Sequence, residues 1–200
     1  MLYRMFRVDA ELLIAHTWGR EPTLMTDIKP YRAKTNSISS GQVLPRDYSY
    51  EEGKLIIKEM ADLLYLELVE KGLVTDSITL HVGYSNRYAT KPAHGTISMT
   101  VTTSSSRHIV AYTERLYEQI VSPHQFVRRM TITFNRVIDE VYRQYDLFTD
   151  PEDMERELQL QKAMLDIKGK YGKNAILKGM NLEEGATAKD RNAQIGGHKA

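Results

Sequence analysis

Three short runs of the chain alternate strictly between apolar and polar residues. Ile78, Leu80, Val82 and Tyr84 share one face of the segment from Ser77 to Ser85. Ile97, Met99 and Val101 do the same between Thr96 and Thr102, and Met130, Ile132 and Phe134 between Phe126 and Asn135. A period of two marks a strand with one face buried. A shorter, mixed run from Thr35 to Leu44 predicts a further strand, with a bulge at Gly41 and a turn at Pro45, Arg46 and Asp47. Two other stretches repeat apolar residues at helical spacing. The first opens at Ser49, with Glu52 placed to complete a capping box. It carries Ile56, Met60, Leu63, Leu64 and Leu68 and closes at Gly72. The second carries Ile109, Tyr112, Leu116 and Ile120 and stops before Pro123. Strand, helix, strand, strand, helix, strand is the split β-α-β-β-α-β pattern of ferredoxin-like α+β folds. It predicts a four-stranded antiparallel sheet with both helices on one face and the other face open.

The flanks read differently. Leu2, Phe6, Ala10, Leu13 and Ile14 predict one helix from Leu2 to His16, stopped at Gly19. Pro22 and Pro30 bracket an aperiodic linker. Asp150 and Pro151 predict a helix start, and Met154 to Leu165 continue it. From Gly169 on, Gly, Lys, Asn and Ala dominate, which predicts a tail with little core of its own, mobile beyond Gly172. The organisation expected is a helix over 1–21, a linker over 22–34, a sheet domain over 35–140, a connecting peptide over 141–149, and a helix with a flexible tail over 150–200.

Composition adds exclusions. The chain has 200 residues, 42% of them apolar and 26% charged, which is ordinary for a soluble globular protein. No run approaches the ~18–20 apolar residues a bilayer requires, so no membrane partner is expected. The first residues lack the apolar core of a secretory signal. There is no cysteine, which excludes disulfides and thiolate chemistry and suits a cytoplasmic setting. Net charge is +1, so only the distribution of charge can identify a partner.

That distribution is uneven. The outward phase of the strands holds Ser37 and Ser39; Ser77, Thr79, His81 and Ser85; Thr96, Ser98, Thr100 and Thr102; and Arg129, Thr131, Thr133 and Asn135. None is a carboxylate. Hydroxyls and cations donate to phosphate oxygens, whereas carboxylates repel them. A merely solvated face would mix acids among its bases. The basic residues Lys34, Arg46, Arg87, Lys91, Arg128 and Arg129 lie in or beside the strands. The first helix instead carries Glu51, Glu52, Glu59, Asp62, Glu67 and Glu70 against Lys54, Lys58 and Lys71. Arg128 falls on the inward phase unless its strand starts with a bulge. The strand aromatics Tyr84 and Phe134 fall inward, so the face is not built to stack bases. Contacts that track a nucleic-acid backbone without reading sequence fit it better. The candidate contact residues are Lys34, Ser37, Ser39, Arg46, Ser85, Arg87, Lys91, Thr96, Ser98, Thr100, Arg128, Arg129, Thr131 and Thr133. The six histidines show no metal-ligand spacing. No phosphate loop or nucleophile motif occurs, so no catalytic or metal residue is assigned.

Several segments resemble one family in order along the chain. Phe6 to Leu13, with His16-Thr17-Trp18-Gly19-Arg20-Glu21, is similar to the final thumb helix of Y-family, lesion-bypass DNA polymerases. Lys34 to Leu44 and His81-Val82-Gly83-Tyr84-Ser85 resemble the first two strands of that family's little-finger domain. Ala175 to Leu182 and Gln194 to His198 resemble the tail of its UmuC-like (ImpB/MucB/SamB) branch in Gram-positive bacteria.

The resemblance implies DNA as partner, gripped by the open sheet face during SOS lesion bypass and repair of damaged DNA. It also implies that the palm and fingers, with their magnesium-dependent nucleotidyl transfer, precede Met1. The expectation is therefore a non-catalytic, cofactor-free chain that works beside the remaining polymerase domains. A stand-alone regulatory module and an unrecognised ferredoxin-like enzyme are the alternatives. Gln144, Leu147 and Phe148 resemble the short peptide by which bacterial polymerases hold the sliding clamp, with Tyr145 where Leu is usual.

Overall fold

The computed structural model describes residues 2–6, 9–21, 24, 26, 36–141, 150–195 and 198–199. The chain forms two compact units, Met1–Thr35 and Asn36–Ala200. In the first, two helices stand where the pattern predicted one: α1 (Leu2–Phe6) and α2 (Asp9–Thr17). Asp9 and Glu11 sit in the first turn of α2, where negative charge suits the helix dipole. Gly19 follows in the left-handed conformation, φ +66°, as the stop signal required.

The second unit holds the expected string: β1 (Ile38–Tyr48), α3 (Tyr50–Lys71), β2 (Leu73–Tyr84), β3 (Ala93–Thr103), α4 (Ser106–Ile120) and β4 (Val127–Asn135). The sheet is antiparallel in the order β1-β4-β2-β3. Both β-α-β units are therefore split: β4 lies between β1 and β2, and β2 lies between β3 and β4. The usual ferredoxin-like order puts its first and third strands at the centre, so this sheet is a rearranged version of the same string. A two-residue strand β5 (Ile138–Asp139) pairs with the start of β2.

The core lies between the sheet and the two helices. Ile56, Ile57, Met60 and Leu68 of α3, Ile78, Leu80 and Val82 of β2, and Met130, Ile132 and Phe134 of β4 are all fully buried. They include the inward residues of two period-two runs and most of the stripe of the first helix; Leu63 of that stripe is exposed instead, and Ile57, outside it, is buried. The capping box of α3 forms as expected. The Ser49 N–H donates to Glu52 Oε2 at 2.8 Å, and Ser49 Oγ accepts from the Glu52 N–H at 3.3 Å. Gly72 ends the helix at φ +64°. Gly53 is a packing requirement. A Cβ there would lie 2.5 Å from the Tyr117 hydroxyl, which donates to the Tyr50 carbonyl at 3.0 Å.

β1 runs further than expected. Pro45, Arg46 and Asp47 lie inside it, and its irregularity falls between Val43 and Tyr48. Gly41 is not a bulge; it pairs in register with Thr131. An edge strand tolerates proline because one side of its backbone needs no partner.

The C-terminal segment departs most from expectation. Helix α5 (Pro151–Tyr171) starts at Asp150, whose Oδ1 accepts from the Glu152 N–H at 2.9 Å. Its buried Glu157 reaches the N-terminus of α4 and accepts from Ser105 Oγ at 2.8 Å, the Arg107 N–H at 3.0 Å and Ser106 Oγ. The chain then returns to α3 through a 3₁₀ turn (Gly179–Leu182) and α6 (Ala188–Asn192). Buried Glu59 accepts from Asn181 Nδ2 at 2.9 Å and from the N–H groups of Thr187 and Ala188 at 2.8 and 3.1 Å. Asp62 pairs with Lys178 at 2.6 Å. Gln42 and Ser40, polar residues on the inner face of β1, bond to Thr187 at 3.3 Å and Arg191 at 3.1 Å. Beyond Gly172, where the sequence predicts a mobile tail, residues 178–191 are thus docked on the helical side of the sheet. Their anchors are polar, so a search for apolar stripes does not find them.

Candidate nucleic-acid interface

Cross-strand register arranges the open face into rows. One row runs across all four strands as Ser39, Thr133, Thr79 and Thr96. The next is Gly41, Thr131, His81 and His94. Beyond it lie Val43, Arg129 and Gly83, and on the other side Asn135, Ser77 and Ser98. No row contains a carboxylate. Hydroxyls are held in place by one another: Thr79 and Thr96 lie 2.8 Å apart, and Asn135 Nδ2 donates to Thr79 Oγ1 at 2.8 Å.

The arginines at the start of β4 depend on two backbone features. Gly83 pairs with Arg129 and Tyr84 with Val127, so Arg128 is the extra residue of a bulge. That bulge is the condition under which the sequence allowed Arg128 outward. Arg128 is half-buried and Arg129 exposed. Gly83 is the second feature. A Cβ there would sit 3.0 Å from Arg129 Cγ, so the glycine provides the bed on which the Arg129 stem lies.

The other candidates sort into groups. Ser39, Thr96 and Ser98 are exposed, and Thr131 and Thr133 half-exposed, on the rows of the open face; Ser37, just before β1, and Thr100 of β3 are exposed as well. Lys91 is exposed in the loop before β3. Ser85 is not on the surface: it is buried at the end of β2 and donates to Asp47 Oδ2 at 2.9 Å. Ser77 is buried as well and accepts from Asn135 at 3.3 Å. Ser77 keeps its place in the row and is covered there, whereas the period-two reading fails at Ser85, past the register shift between Gly83 and Tyr84.

Arg46 lies over the Tyr48 ring, 4.3 Å from its centroid, and its guanidinium bonds Glu52. It is committed to the helix cap rather than free for a ligand. That bond, with the capping hydrogen bonds from Ser49, holds the Glu52 carboxyl down at about 2. Arg87 Nε is 3.2 Å from Asp47. Arg46, Arg87 and Arg128 together line an open cleft of about 600 Å³ beside Asp47. Lys34, Gln144, Leu147 and Phe148 lie outside the described residues.

Two features escaped the sequence. Arg136, just past β4 at φ +49°, donates to Asp76 at 2.7 Å and to Ser98 Oγ at 3.2 Å. It brings a cation to the rim of the face and neutralises the acid there. The pattern that ended the strand at Asn135 gave no sign of it. His81 and His94, thirteen residues apart, are direct cross-strand neighbours. The signal was available once the two runs are folded into a hairpin. The aromatics stay inside as expected: Phe134 is fully buried, and the Tyr84 hydroxyl accepts from the Ser122 N–H at 2.9 Å. Among the described residues no helix is long and apolar enough to cross a membrane.

A split antiparallel sheet with one acid-free, hydroxyl-rich face is the architecture that residues 38–135 form. Residues 35–147, more than half of the chain, match the impB/mucB/samB family C-terminal domain, and the chain belongs to that family. This is the branch to which the sequence resemblance pointed. Two proteins of Bacillus subtilis (strain 168) are similar to it. One is UvrX, named for UV-damage repair, at 29% identity over 100% of this chain and 47% of its own length. The other is "DNA polymerase IV 2", at 23% identity over 81% of this chain and 39% of its own. The chain thus spans about half or less of these relatives. Among solved structures, a Y-family DNA polymerase chimera of Dbh and Dpo4 aligns with 69% of this chain and 38% of its own, at 11% identity and a TM-score of 0.37.

Proposed function

We propose that the sheet domain binds primer–template DNA without reading its sequence, as the little finger of a translesion polymerase acting in SOS repair of damaged DNA in the cytoplasm. Nucleotidyl transfer then belongs to the palm and fingers of the longer protein, and this chain supplies grip. The observation that carries the reading is the open face itself: four rows of hydroxyls, imidazoles and Arg129 with no carboxylate among them. Such a face offers donors to phosphates at many positions and selects for no base. The family membership and the repair-related name of one relative support it. Fluorescence anisotropy with labelled primer–template DNA tests it. Affinity should fall steeply with salt, by a logarithmic slope of about 0.9 per phosphate contacted. Arg128→Ala/Arg129→Ala should weaken all sequences alike and flatten that slope by one to two contacts. Salt-independent binding, or an undiminished double variant, contradicts the assignment.

The clamp peptide is the second part of the proposal. Its support is the sequence of Gln144, Leu147 and Phe148 and its place after the sheet domain. A Gln amide at a pocket rim and two apolar anchors suit a preformed groove. A tether at this point raises the effective concentration of the domain on DNA. Calorimetry with the bacterial sliding clamp should show binding by the parent chain and its loss in Leu147→Ala/Phe148→Ala. Equal binding by a folded double variant removes this part and leaves the DNA proposal intact.

A further inference from the structure

The open face carries two titratable side chains whose role a sequence-blind grip does not specify. His81 of β2 and His94 of β3 pair directly, with ring centroids 6.1 Å apart and planes crossed at 67°. His81 is half-buried and His94 exposed. Their row continues through Thr131 of β4 to Gly41 of β1. The adjoining rows present Thr79, Thr96, Thr133 and Ser39 on one side and Arg129, Gly83 and Val43 on the other. Arg129 is thus the charged side chain on the rows that flank the pair. The next charged groups stand at the strand ends: Lys91 in the hairpin loop, Arg87 with Asp47, and Arg136 with Asp76. No carboxylate in these rows faces the imidazoles from β1, β2, β3 or β4.

This setting changes when a polyanion arrives. A phosphate within ~4–6 Å favours the charged form of an imidazole. A cationic imidazole also donates from both ring nitrogens, where a neutral one donates from only one. Histidine is the side chain whose ordinary titration falls between pH 5 and 8. We propose that His81 and His94 form a proton-coupled phosphate site, taking up protons as the open face closes on DNA. This rests on the DNA-binding reading above and adds to it a regulation of the same face: binding tightens as pH falls through the histidine range. The sign follows from linkage, since a state that holds more protons is favoured at lower pH.

The full chain and a labelled primer–template, at fixed ionic strength with EDTA present, test the inference between pH 8 and pH 6. A histidine that holds its proton tenfold more tightly in the complex gives about a sixfold gain in affinity over that range. The wild type should show that gain once or twice over, and His81→Gln/His94→Gln should lose it. Titration calorimetry at pH 7 in two buffers of different ionisation enthalpy counts the protons directly. The wild type should take up a measurable fraction of a proton per complex, and that count stands even if the variant fails to fold. DNA binding with the same pH dependence in both chains, or with no proton uptake by the wild type, overturns the inference and leaves the DNA reading standing. Absence of DNA binding at every pH overturns both.

Discussion

Arg46 and Arg129 show how far neighbours decide what a basic residue does. Arg129 lies over Gly83, where no Cβ obstructs it, and its head stays exposed on an acid-free face. Arg46, equally basic and equally near a strand end, bonds Glu52 and is spent on the cap of α3. The two could not be told apart by charge or by spacing, because Glu52 reaches Arg46 only after the strand has run on through Pro45. The pairing makes a pH prediction. Arg46 and the Ser49 hydrogen bonds hold Glu52 at about 2, below the ~4.3 of a free glutamate. A carboxyl depressed in this way stabilises the fold above its unfolded value, and that contribution fades as pH falls toward its folded value. Glu52→Gln keeps an acceptor for the Ser49 N–H but loses the charge. Its urea midpoint should lie below wild type at pH 7, with the gap closing steadily between pH 5 and pH 3. A gap that stays constant with pH would show that the charge contributes nothing.

Among the elements, those built on apolar periodicity were legible and those built on polar anchoring were not. The four strands and two covering helices follow from runs such as Ile78-Leu80-Val82 and from stop signals such as Gly72, because burial of apolar area dictates them. Strand order is not written in any one run; it depends on which edges pair, and β4 enters between β1 and β2. The C-terminal segment was illegible for a different reason. Glu59 and Asp62 look like part of a solvated acidic helix face. In the folded chain they are buried, and a buried carboxylate requires partners. Thr187, Ala188, Asn181 and Lys178 supply them from more than a hundred residues away. No local pattern announces a contact of that range. The candidate site was legible to the same degree: the mid-strand hydroxyls stand where period two put them, while Ser85, past the end of β2, is buried and Arg46 is bound to Glu52. Arg136 and the His81–His94 pair emerged only with the register.

At the scale of the whole second unit, the charge asymmetry has a structural logic. The acidic residues of α3 lie on the helical side, where Glu59 and Asp62 hold the C-terminal segment and Glu67 and Lys71 pair at 2.5 Å. The opposite face is left to hydroxyls, imidazoles and Arg129. One side of the sheet is thus occupied by the protein's own chain, and the other is open to a polyanion. The most direct test of this account is a map of where DNA touches. Threonine methyl signals serve as probes, because Thr79, Thr96, Thr131 and Thr133 stand on the open rows and Thr187 stands beside Glu59. On titration with primer–template DNA, the four open-face methyls should shift together and saturate with one affinity, while Thr187 stays in place. A shift confined to Thr187 and its surroundings, with the open rows unmoved, would contradict the account.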